Sequence, residues 1–138
     1  MKRIFVLPFC LALMAASAPA PVVQVAAGDW DGLPALKLTK YDHLSTVLMT
    51  KLYQIHREQT CRFPGKSGKH LDMSLSFAVQ FNPDGSTNRL LLPQLNCPEA
   101  EAWLGGVLLK AMSAGDFQRT EPSPEGWYQG RVAFSYEG

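Results

Sequence analysis

A chain of 138 residues, 46% of them apolar and with a formal charge of +1, has the size and composition of one globular domain with an ordinary core. The balance of 13 basic against 12 acidic residues excludes polyelectrolyte character, so nucleic acid is not an expected partner.

In chain order, the first element is a leader. Lys2 and Arg3 precede a run from Ile4 to Ala18 that is apolar apart from Pro8 and Ser17, too short and interrupted for a membrane span. This is the pattern of a secretory signal peptide. The small residues Ala16 to Ala18 offer one cleavage site but place Pro19 after the cut, whereas Val25-Ala26-Ala27 before Gly28 has no such defect. The expected organisation is therefore a signal peptide over 1–27, an N-terminal segment over 28–38 and a domain over 39–138, with no stable membrane span after cleavage. Bulky Phe9 before Cys10 argues against a lipoprotein site.

Removing 1–27 takes away Lys2 and Arg3, leaving 13 − 2 = 11 basic residues against 12 acidic, a net of −1. It also leaves Cys61 and Cys97 as an even pair, which in an oxidising compartment is most simply a disulfide. The chain-entropy model gives a bridge across that separation about 4 kcal/mol. A catalytic thiol would instead need a histidine neighbour that linear sequence does not place.

Residues 28–37 have no sustained period and read as a loosely held segment. Thr39, with Asp42 three residues on, is expected to cap a helix whose apolar stripe is Leu44, Val47, Leu48, Leu52 and Ile55. That helix should stop near Glu58 to Thr60, and Arg62 to His70, with Pro64, Gly65 and Gly68, reads as a cationic loop. From Leu71 to Phe81 every odd position is large and apolar, the pattern of a half-buried strand. Pro83 and Gly85 turn it back into a partner strand, Thr87 to Leu92, which Pro93 confines to a sheet edge or ends.

A second helix should start at Asn96 or Cys97 with Pro98 in its first turn, bury Trp103, Val107, Leu108 and Met112 with Leu104 and Ala111 flanking, and end at Gly115. A Pro-containing turn over 121–126 leads to a last strand from Arg131 to Tyr136, alternating through Val132 and Phe134. The order helix, strand, strand, helix, strand implies an α+β fold: a three-stranded antiparallel sheet with two helices packed on one face.

Chemistry-bearing motifs are scarce. Gly65-Lys66-Ser67 ends like a phosphate-binding loop, but Thr60 stands where that motif needs glycine, and the strand and helix flank it in the wrong order. Arg62, Lys66 and Lys69 read as solubilising charges of an exposed loop. His43, His56 and His70 share no ligand spacing, no Gly-x-Ser-x-Gly occurs, and His70-x-Asp72 is economically a loop residue beside a solvent-facing position. No enzyme activity, cofactor or metal is expected.

From about Tyr41 to Tyr136 the chain resembles the periplasmic C-terminal domain of the TonB and TolA energy transducers. The resemblance rests on the first helix opening with Tyr41, on Leu75-x-Phe77-x-Val79-x-Phe81 running into Asn82-Pro83-Asp84-Gly85-Ser86, on the alanine-bearing helix from Pro98 to Ala114, and on the closing strand after a Pro-containing turn. One cysteine before the first strand and one at the second helix, as Cys61 and Cys97 stand here, tilt it toward TolA. Transducers of that family have an uncleaved membrane helix and a long spacer; here the 11 residues between Ala27 and Thr39 reach about 40 Å when fully extended.

The resemblance implies a soluble periplasmic recognition module without the motor, binding an envelope protein or peptide partly by strand addition. The edge expected to accept the strand is the last one, through Val132, Ala133, Phe134 and Ser135, with Trp127, Tyr128 and Arg131 flanking. A second reading, from another class, is a small secreted inhibitor or immunity-type protein.

Overall fold

The computed structural model describes residues 19–58, 61, 63 and 70–137. It is an α+β fold with more strands than the sequence suggests: β1 (Val22–Val25), β2 (Leu36–Leu38), α1 (Tyr41–Arg57), β3 (His70–Phe81), β4 (Thr87–Leu92), α2 (Pro98–Ser113), β5 (Phe117–Arg119) and β6 (Trp127–Glu137). The main sheet has four strands in the order β1-β4-β3-β6 and is mixed, because β1 lies parallel to β4 while β3 runs antiparallel to both β4 and β6. β2 and β5 form a separate antiparallel ribbon. The expected three-stranded antiparallel sheet is thus its centre: β4, β3 and β6 pair as anticipated, and β1 adds a fourth strand.

Period 2 in β3 does what it promised. Leu71, Met73, Leu75, Phe77 and Val79 are buried in one cluster with Leu44, Leu48, Leu52 and Ile55 of α1 and Leu104 and Leu108 of α2. Both helices therefore cover the face that carries the odd residues of β3. Opposite β3, the even residues Tyr128, Val132 and Phe134 of β6 are buried in the same cluster, as their register with Val79, Leu75 and Met73 requires.

Four local expectations need correction. Thr39 does not cap α1; the cap residue is Lys40 with no side-chain bond, and Thr39 instead donates its N–H and hydroxyl to the Asp116 carbonyl at 2.8 and 3.0 Å. In α2 the buried stripe is Ala100, Leu104, Gly105, Leu108 and Ala111, with Trp103, Val107 and Met112 only half-buried beside it. That helix is apolar almost all round, so its sequence leaves the rotation open, and the small residues decide it by letting the backbone approach the sheet.

The segment 28–38 is not loose: Leu36–Leu38 pairs with β5, and Trp30 and Leu33 lie with Leu91 and Trp127 around a groove of about 310 Å³. Leu91 alternates with buried Leu90 and Leu92, so this segment crosses the sheet face opposite the helices. Finally, β4 ends at Leu92 before Pro93 as expected, but it is no edge, since β1 covers it.

Cys61 and Cys97 are joined by a disulfide, 36 residues apart in sequence, with their Cα atoms 5.6 Å apart. The bridge ties the chain just beyond α1 to the cap of α2, where Cys97 is fully buried. The leader run from Ile4 to Ala18 and the loop cations Arg62, Lys66 and Lys69 lie outside the described residues, and His70 opens β3 rather than closing the loop.

Candidate functional site

β6 is the outer strand on one side of the sheet, which makes its free edge the site the sequence reading points to. Its 11 residues run from Trp127 to Glu137, longer than the expected Arg131 to Tyr136. Backbone groups alternate between the two sides of a strand. Gln129 and Ala133 show which residues face outward: the Gln129 N–H donates to the Pro34 carbonyl at 2.9 Å, and the Ala133 N–H donates to the Tyr41 hydroxyl at 3.1 Å. By the same alternation Arg131 and Ser135 face outward, while Tyr128, Val132 and Phe134 turn their backbone to β3 and their side chains to the core.

The seven expected site residues therefore divide. Ala133, Ser135 and Arg131 offer edge groups; Val132, Phe134 and Tyr128 hold the strand in place from within. Tyr128 is buried and donates its hydroxyl to the Glu121 carbonyl at 2.8 Å, a core and turn-fixing role. Trp127 sits on the opposite sheet face beside Trp30 and Leu33.

Nor is the row of edge groups wholly open. Tyr41 takes both groups of Ala133, donating to its carbonyl at 2.7 Å while accepting from its N–H. Ala35 makes a single parallel bridge to Gln129, whose side-chain amide also donates to the Leu33 carbonyl at 3.3 Å. Arg131 reaches Asp31 at 3.5 Å and donates to the Ser76 hydroxyl at 3.2 Å; with both ion-pair partners largely exposed, that pair is worth at most about 1 kcal/mol. Among the described residues, no side chain bonds to the outward backbone groups of Arg131 and Ser135. Gln129 and the masking residues Pro34, Ala35 and Tyr41 were not legible as edge residues, because the contacts that place them there span 92 or more residues.

Electrostatically the site is plain. Among the described residues, the one carboxyl held below its usual range is Asp84, which accepts bonds from the hydroxyl and N–H of Ser86 in the β3–β4 turn, far in sequence from β6. Among the described residues, no three His, Cys, Asp or Glu side chains stand together as a metal would need, and no helix is long and apolar enough to cross a membrane.

No protein-family model, curated protein or solved structure matches the chain.

Proposed function

We propose that this protein is a non-enzymatic recognition module of the cell envelope that binds an extended segment of a protein partner by adding it to the outer edge of β6. The observation that carries this reading is the state of that edge. Arg131 and Ser135 direct their backbone groups outward on either side of Ala133, which is held by one hydroxyl. An incoming strand would replace that hydroxyl with a backbone pair and extend the ladder in both directions. The resemblance to the TonB and TolA C-terminal domains supports the same mode, and the disulfide is compatible with an oxidising compartment such as the periplasm.

The test is capture from periplasmic extract by the exported protein and by its Ser135→Pro variant, followed by mass spectrometry. A specific partner retained by the first and lost by the second supports edge addition. Partners retained equally by both sink it, and a single enzyme captured and inhibited by both would move the protein to the inhibitor class.

A further inference from the structure

The other end of the sheet carries a second strand site, already filled. Residues 22–25 lie parallel on β4, pairing Val22 with Arg89 through Val25 with Leu92, and the Ala26 N–H donates to the Leu92 carbonyl at 3.0 Å. Yet β1 gives nothing to the core: Val22, Val23 and Val25 are 45, 40 and 47% exposed, and among the described residues every buried core residue lies at Leu44 or beyond. A strand that is held by its backbone and by one face of small side chains can be replaced without dismantling what lies beneath it.

That face is specific. Val23 and Val25 point toward α2, where they line a groove of about 430 Å³ with Leu92, Ala102, Gly105 and Gly106. Gly105 is there for closeness. A Cβ on it would stand 3.1 Å from Val23 Cγ1 and 3.3 Å from Leu92 Cδ1, tighter than ordinary packing. Glycine inside a helix is destabilising against alanine, and here it makes room for a β-branched side chain on a neighbouring strand.

Residues 22–25 also fall within the leader as the sequence defines it, upstream of the cut before Gly28. We infer that the outer edge of β4, roofed by Gly105 and Gly106, is a receptor site for an extended peptide segment with β-branched apolar residues two apart, and that residues 22–25 fill it until the leader is removed. Processing then opens a groove whose shape the leader's own valines report. This shares strand addition with the β6 reading but uses the opposite edge and different residues, so either can fail while the other stands.

The experiment is residue-resolved amide exchange by NMR on the exported protein, as it is if it begins at Gly28, or carrying Gln24→Pro if it begins upstream. Gln24→Pro removes the N–H that alternation from Ala26 directs at β4. The probe is a synthetic seven-residue peptide with the sequence of residues 21–27. By the same alternation Leu90 and Leu92 face outward and Arg89 and Leu91 face β3. The peptide should slow exchange at Leu90 and Leu92 at least tenfold and leave Arg89 and Leu91 unchanged. A peptide with aspartate in place of Val23 and Val25 should have no effect, and Gly105→Val should abolish the response while the Arg89 and Leu91 amides report an intact fold. No slowing at Leu90 and Leu92, or equal slowing by the aspartate peptide, overturns the site. Protection that appears on concentrating the protein without peptide would assign the edge to a second copy instead, and overturns the inference too.

Discussion

The ring of Phe77 lies over the backbone of Gly130, its cross-strand partner, so closely that a Cβ at Gly130 would fall 2.2 Å from the Phe77 Cζ atom. Phe77 is fully buried, and Phe117 meets it edge-on with centroids 5.6 Å apart, so the ring has nowhere to retreat. Glycine at this place in β6 is therefore a packing requirement of β3. Gly130→Val should destabilise the fold by about 1–3 kcal/mol through overpacking, read as a lower urea midpoint with unchanged slope. An unchanged midpoint would mean that Phe77 does not fill this space.

The bridge between Cys61 and Cys97 has a comparable reach. Its loss should cost about 2–5 kcal/mol, the usual range for a small secreted domain. The exported protein, unfolded without reductant, should show no labelled thiol, and reduction should lower its melting temperature. Two free thiols in the oxidised protein would remove the bridge, and with it the feature that tilts the resemblance toward TolA.

What the sequence made legible follows the range of the physics involved. β3, β4, both helices and the turn at Gly85 are written in local period and turn chemistry, and Gly85 does take a positive φ of 88°. The cysteine pair was legible because compartment and parity left one partner each. β1, β2 and β5 were not, since strands of three or four residues carry too little pattern to separate from a leader or loop. The masking of Ala133 by Tyr41 was invisible for another reason: Tyr41 reads as a helix-opening residue, and its phenol meets β6 only after α1 has docked.

Which residues survive export decides the role of β1. Proline after the cut disfavours cleavage at Ala18, so intact-mass measurement of the exported protein should place its first residue at Gly28. The mature protein would then lack β1 and expose the β4 edge. A mass that includes residues 19–27 would keep β1 in the working protein, and one that includes the whole leader would make the apolar run an anchor.

The turn between β3 and β4 has its own pH dependence. Asp84 ionises below its usual range because the Ser86 hydroxyl and then the Ser86 N–H donate to its charged form. A depressed folded-state value means that the stabilisation is present above the ordinary carboxylate range and is lost as pH falls through the folded-state value. Asp84→Asn should therefore flatten the acid limb of stability and lower the neutral-pH melting temperature slightly, because the stabilisation lost in acid is the one present at neutral pH and it is small for a fully exposed group. An unaltered acid limb would show that the turn bond contributes nothing to folding.

The decisive prediction for function concerns alternation along β6. Ala133 and Ser135 direct their N–H groups outward, whereas Val132 and Phe134 direct theirs to β3 and are buried. Proline at Ala133 or Ser135 should impair partner binding while the fold survives; at Val132 or Phe134 it should unfold the domain, since it removes a ladder bond and breaks core packing. Tyr41→Phe sharpens the test. It deletes the hydroxyl that occupies both Ala133 groups and leaves the ring, so a partner that adds as a strand should bind more tightly to this variant, having no hydroxyl to displace. Titration of the captured partner against wild type, Tyr41→Phe and Ser135→Pro separates the mechanisms. Tighter binding to the first variant and weaker to the second fits strand addition at β6. Equal affinity for all three, with binding lost on changing Arg62, Lys66 and Lys69, would move the site to the cationic loop.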